Sequence, residues 1–168
     1  MAARGALRAA VAAIPDPELP MLTIADLGIL RDLRVRDSGV EVDITPTYSG
    51  CPAMEAIRAE IEAVLRREGA GAVAVRIVLA PAWSTDWISE QGRRRLAAAG
   101  IAPPGPAARP QRPAVGGHVA LLPVREAVAC PRCGSRATEE LSRFGSTACK
   151  SLHRCRDCAE PFEHFKAH

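Results

Sequence analysis

The sequence predicts an α+β protein: a small α-β-β-α-β-α domain at residues 1–100, a Pro/Gly-rich linker at 101–128, and a cysteine-rich β module at 129–168. Three observations carry this. Apolar residues alternate with charged ones between Leu33 and Ile44, the period of a half-buried strand pair. Between Met54 and Val64 they recur at helical spacing instead. Five of the six cysteines (Cys130, Cys133, Cys149, Cys155, Cys158) fall in the last 39 residues, beyond a proline-rich stretch, and Cys51 stands apart.

Each element follows from local chemistry. Residues 4–14 are Ala-rich and suit a short helix that must stop before Pro15 and Pro17. Leu33 and Val35 alternate with Arg34 and Arg36, and Val40, Val42 and Ile44 alternate with Glu41 and Asp43. With Asp37-Ser38-Gly39 as the turn, this is a hairpin whose polar face can pair arginine with carboxylate. From Pro52 to about Glu68, Met54, Ile57, Ile61 and Val64 form the apolar stripe of a helix, Glu62 and Arg66 sit one turn apart, and Gly69 and Gly71 end it. Val73, Val75, Ile77 and Leu79 mark a third strand, and Ser84-Thr85-Asp86 can cap a helix reaching about Ala99. The expected result is a sheet with helices on one side. Six prolines and no acid between Ile101 and Pro123 make a semi-extended linker.

Composition narrows the function classes. The chain has 168 residues, enough for one ordinary core and an annex, which excludes a large multidomain enzyme. Twenty Arg against two Lys, beside 31 Ala, is compositional bias. Residues 1–100 carry 12 basic and 13 acidic groups, so the net charge of +3 belongs to the linker and tail. A nucleic-acid binder would concentrate basic charge on its folded face, and none is expected as a partner. Arg8 interrupts the first apolar run, so no export signal is expected, and no segment approaches the roughly 20 apolar residues of a membrane span. The expectation is a protein of the reducing cytoplasm, where clustered cysteines bind metal more readily than they form disulfides.

Cys51 directly precedes Pro52 and so falls at or beside a helix N-cap, where unpaired N–H groups and the helix dipole favour a thiolate. A buried, inert cysteine fits the same position. The first 117 residues hold no histidine, which argues against Cys-His hydrolysis and leaves metal or cluster handling, since a thiolate ligates soft metals without a base. Asp16 and Glu18, held among Pro15, Pro17 and Pro20, offer hard oxygen ligands or a charged contact surface. Ile14-Pro15-Asp16-Pro17-Glu18-Leu19-Pro20, then Ile24-Ala25-Asp26-Leu27-Gly28, then Asp43-Ile44-Thr45-Pro46-Thr47-Tyr48-Ser49-Gly50-Cys51-Pro52 resembles the MIP18 (DUF59) family, which acts in iron–sulfur cluster assembly. The resemblance implies that Cys51 is the functional cysteine, accompanied by Asp16 and Glu18, at a site for transient iron or a cluster.

Cys130-Pro-Arg-Cys133 and Cys155-Arg-Asp-Cys158 are two CxxC turns, each aiming two thiolates at one point. Together they make a tetrahedral site, expected to hold structural zinc, with iron as the alternative. A module of this size cannot build a core alone, so the metal would contribute on the order of 10 kcal/mol to its folding. Cys149 is surplus: an auxiliary thiol or a buried residue of the module. His153 is a substitute ligand at most, and His164 and His168 read as solvated. Phe144-Gly-Ser-Thr-Ala-Cys149-Lys150 with Cys155-Arg-Asp-Cys-Ala-Glu-Pro-Phe162-Glu-His-Phe165-Lys166 is similar to the C-terminal, zinc-ribbon-like part of the phenylacetate-degradation protein D family. That resemblance implies an accessory or maturation subunit of the bacterial phenylacetyl-CoA 1,2-epoxidase system, whose other subunits are a di-iron oxygenase and a [2Fe–2S] flavin reductase. The chain has no dinucleotide glycine fingerprint and no Glu-x-x-His pair on a long helix, so the oxidation itself is not expected of it. A non-catalytic structural or regulatory subunit is the alternative, and thiol catalysis by Cys51 a third.

Overall fold

The computed structural model describes residues 2–48, 50–107 and 127–167, and the chain divides into two units, Met1–Ala99 and Gly100–His168, each with its own sheet. Most of the proline-rich stretch, from 108 to 126, lies outside the described residues.

In the first unit the charged alternation forms β1 (Leu30–Arg36) and β2 (Gly39–Ile44), an antiparallel pair, and β3 (Val73–Ile77) joins β2 in parallel. Gly39 at the turn has φ +135°, and any Cβ there would meet the carbonyl of Ala72, so the turn requires glycine. Leu33, Val40, Val42 and Ile44 are buried on one face. On the other, Arg34 donates to Asp32, Glu41 and Asp43, and Arg76 of β3 binds both oxygens of Asp43. The expected arginine–carboxylate pairing is therefore present and extends to the third strand. β3, an edge strand, buries only Val75; Ile77 at its end is exposed, and Leu79, expected within the strand, lies beyond it and is exposed.

Helix α1 (Ala2–Ala12) and helix α2 (Ala53–Arg67) pack on the buried face. The fully buried stripe of α2 is Met54, Ile57, Ile61 and Leu65. Leu65, four residues after Ile61, takes the place expected of the half-buried Val64, and each such burial stabilises by about 1.5–3 kcal/mol. Gly69, at φ +82°, closes the helix, with its N–H on Arg66 and that of Ala70 on Leu65. The expected long last helix is divided. Ser84 caps only a single 3-10 turn (Thr85–Trp87), and Ser89 caps the helix proper, α3 (Glu90–Ala98), by accepting from Gly92. Proximity of a second, better-placed cap decides where the helix begins.

In the second unit β4 (Ile101–Ala102), β5 (Thr138–Ser142), β6 (Lys150–Cys155) and β7 (Pro161–Phe165) form a sheet in the order β4-β7-β6-β5. Neighbouring β5, β6 and β7 are antiparallel, and β4 runs parallel to β7. Ala102, Cys130, Cys155 and Phe162 make its small core, with Val128 against them.

Candidate thiol site and metal centre

The loop carrying Asp16 is built from its own side chains. Asp16 Oδ1 accepts the N–H groups of Glu18 (2.9 Å) and Leu19 (2.8 Å), the Asp16 N–H donates to Leu22, and Pro15 bridges Thr23. Buried Leu19 and Leu22 fasten the loop to the core. One oxygen of Asp16 thus holds the loop's shape, while burial, opposed by those two N–H donors, raises its carboxyl above the usual range. A groove lined by Pro15, Asp16, Pro17, Pro20 and Ala56 gives access from solvent.

Cys51 is half-buried immediately before Pro52, the N-cap of α2. Its N–H donates to Tyr48 and its carbonyl accepts from Met54, closing a tight turn that presents the thiol at the helix start. Ser49 lies outside the described residues. Glu18 and Asp16 act electrostatically on the Cys51 thiol across 33 or more residues of sequence. Burial pushes the Cys51 thiol up, the Ala53 N–H pulls it down, Glu18 and then Asp16 push it up, and the Tyr48 hydroxyl pulls it down, with a net rise. The helix-start expectation of a thiolate is therefore corrected. The N–H donor is there, but desolvation and two carboxylates outweigh it.

The Asp26 segment is scaffold. Asp26 accepts from the Thr23 N–H, from Ser89 Oγ (2.9 Å) and from Arg95 (2.6 Å), so a loop carboxylate fixes the start and end of α3. Burial opposes its ionisation, but these donors hold its carboxyl below the usual range. Gly28, at φ +68°, lets Trp87 pack where a Cβ would clash. Sequence reasoning did not single out Thr45, which is buried with a hydroxyl that has no hydrogen-bond partner among the described residues, or Tyr48 as a donor to the thiol.

In the second unit Cys130, Cys133, Cys155 and Cys158 place their sulfurs within 4.8 Å of one another. Two of the pairs, Cys130–Cys158 and Cys133–Cys155, are 3.8 and 3.6 Å apart. A tetrahedron with metal–sulfur bonds of about 2.3 Å has edges of about 3.8 Å, so the four thiols fit a metal of that kind. The two knuckles match: Gly134 after the first and Ala159 after the second have φ +75° and +59°. The N–H groups of Cys158 and Asp157, against burial, bring Cys155 down to about 7. Cys133 receives the Ser135 N–H, yet contact with the Cys155 thiol and its neighbours pushes it up to about 12. Thiols packed this closely ionise together only with a cation among them.

Cys149 lies outside this group, buried and 3.0 Å from Thr147 Oγ1. His153 is also outside it, buried with Nε2 on Ser151 Oγ (2.9 Å). His164 differs from the expected solvated side chain: burial, and then His153 beside it, depress it to about 4. His168 lies outside the described residues.

Comparison with known proteins reaches both units. Residues 4–77 match the family described as iron–sulfur cluster assembly protein, and residues 116–166 match the PaaD zinc beta ribbon domain. A DUF59 domain from Bacillus anthracis superposes with a TM-score of 0.53 at 28% identity, covering 56% of this chain and 92% of that one. An Escherichia coli (strain K12) protein, named as a component of 1,2-phenylacetyl-CoA epoxidase, is 44% identical over 153 residues, 91% of this chain and 86% of the relative. With that identity over nearly its whole length and a ribbon of the PaaD type at its end, the chain belongs to the PaaD family of 1,2-phenylacetyl-CoA epoxidase components.

Proposed function

We propose that this protein is an accessory maturation subunit of a phenylacetyl-CoA 1,2-epoxidase system in aerobic phenylacetate catabolism, handing iron or an iron–sulfur cluster to a di-iron oxygenase or a [2Fe–2S] flavin reductase. The observation that supports the reading is the electrostatic influence of Glu18 and Asp16 on the half-buried Cys51 thiol at the head of α2. A soft sulfur beside hard oxygens suits iron as cargo. The oxidation falls to the other subunits, and this chain supplies the donor set and the docking unit. Zinc, as the resident metal of Cys130, Cys133, Cys155 and Cys158, would close all four positions and serve structure alone.

A second reading, a non-catalytic structural or regulatory subunit, is favoured by one fact: Asp16 Oδ1 is already engaged in holding its own loop. Cys51→Ser separates the two. The reductase matured beside this variant is expected to carry several-fold less iron and sulfide per flavin, with the zinc content of the variant unchanged. Full cluster content and activity beside the variant would sink the maturation reading and leave the structural one.

A further inference from the structure

We infer that residues 141–146 of the second unit form a preorganised docking finger, with Phe144 as its anchor, that enters an apolar pocket rimmed by carboxylates on another protein subunit. The inference rests on the proposed role of the chain within a multisubunit system. Phe144 is 67% exposed and Leu141 is 52% exposed, a concentration of apolar surface on a sheet that has little core to spare. Loops that expose an aromatic side chain ordinarily let it move. This one is held at each end and in the middle.

The Phe144 N–H donates to Ser142 Oγ (3.1 Å), and the Gly145 N–H to the Lys150 carbonyl (2.8 Å). Lys150, itself buried, bonds Ser146 Oγ (2.6 Å) and Glu163 (2.8 Å), and the other oxygen of Glu163 accepts the Ser146 N–H. Gly145 is required by that arrangement, because a Cβ would lie 2.6 Å from the Glu163 carboxylate. Burying a lysine–glutamate pair is costly in a small unit, and its effect here is to fix a loop whose apolar side chain points out. A side chain ordered before binding loses little entropy on binding, the property of an interface anchor.

Charge identifies the occupant. Lys166 Nζ stands over the Phe144 ring, 4.9 Å from its centre, and bonds the Arg143 carbonyl. Neither Arg143 nor Lys166 has a carboxylate partner among the described residues, and the same holds for Arg136 and Arg154, whereas Arg132, Lys150 and Arg156 of the same unit are each paired. An exposed aromatic between two uncompensated cations fits a pocket with an apolar floor and an acidic rim. Within the unit, Glu139, Glu160 and Glu163 are themselves held in ion pairs.

The test uses the full-length, zinc-loaded chain and the separately purified oxygenase and reductase, with affinity measured from low to high salt. Phe144→Ala is expected to bind one of them about 30-fold more weakly, the loss typical of an anchor residue. Arg143→Glu is expected to weaken binding at low salt and to flatten its salt dependence. Cys51→Ser should bind as the wild type does, even where maturation fails. Metal content and melting temperature of each variant establish that it is folded. If the wild type binds a component and Phe144→Ala binds it equally well, the finger is refuted and the functional proposal stands. Wild-type binding to neither component would overturn both. A dimer of the wild type that Phe144→Ala dissolves would make the occupant a second copy and refute the acidic partner.

Discussion

Thr45 provides the sharpest test of the packing described above, because it is 1% exposed and its hydroxyl finds no hydrogen bond among the described residues. Valine has the same shape with a methyl in place of that hydroxyl. An unsatisfied buried polar group costs about 1–3 kcal/mol, and a buried methyl contributes about 0.8 kcal/mol. Thr45→Val should therefore stabilise the first unit by about 1–2 kcal/mol, against the usual rule that core substitutions destabilise. For a unit of this size each kcal/mol moves the melting temperature by about 4–8 °C, so a rise of about 5–10 °C is expected in calorimetry of the full chain. The Thr45 N–H, which holds the loop to the Ile29 carbonyl, is unchanged by the substitution. Thr45→Ser is the control: it keeps the hydroxyl, loses the methyl, and should destabilise by about 1 kcal/mol. A melting temperature for Thr45→Val at or below the wild type would refute the reasoning, since it would mean the hydroxyl is satisfied. Orphan polar groups are concentrated near functional sites, and Thr45 sits six residues before Cys51. Stabilisation accompanied by poorer cluster delivery would be the corresponding trade.

Three further outcomes are expected. Cys130→Ser should remove the metal, about one zinc per chain by elemental analysis, and abolish chelator-resistant structure in the second unit while the first still melts cooperatively. Ala159→Gly should stabilise that unit by about 0.5–1 kcal/mol, because a left-handed alanine costs about 1–2 kcal/mol and the added glycine entropy returns part of it; chelator midpoints would report it, and an unchanged midpoint would count against strain at that knuckle. Asp43, lowered first by its hydrogen bond from Arg76 and then by Arg34, contributes stability that is present above an ordinary carboxyl value of about 3.9 and lost as pH falls through its lower folded value. Asp43→Asn should thus be less stable than wild type at neutral pH, with the two converging in strong acid; equal pH profiles would contradict this.

The parts of the fold legible in the sequence are those set by local periodicity. The hairpin and α2 required only the alternation of neighbours, and the two CxxC turns carry their geometry within four residues each. Failures began where distant residues decide. Val64 and Leu65 are equally apolar, and tertiary contact alone selects Leu65 for burial. Ser84 and Ser89 are both competent caps, and Asp26, a loop residue far away in sequence, accepts from Ser89 and fixes that start. Nothing local reveals that Ile77 and Leu79 lie on an edge, or that His164 is shielded by the sheet. At the candidate site the residue types were legible, but the sign of the effect on Cys51 was not. The dipole argument uses only Cys51 and Pro52, whereas the net result includes two carboxylates folded back from residues 16 and 18.

That reversed sign bears on what each thiol site can do. Carboxylates beside Cys51 disfavour a second negative charge, yet they favour any cation that takes the proton's place. Binding then releases a proton, and below the thiol pKa the apparent affinity falls about tenfold for each unit of pH. On the proposed function, a site of one thiol and two carboxylates would bind weakly enough at neutral pH to let cargo go. The four-cysteine cluster differs in kind: all four sulfurs lie within 4.8 Å of one another, with no carboxylate in the group. A metal there has no open position and no carboxylate to exchange with, so it stays. On that proposal, retention and release would be divided between two units of one chain by the number of sulfurs and the charge of their neighbours.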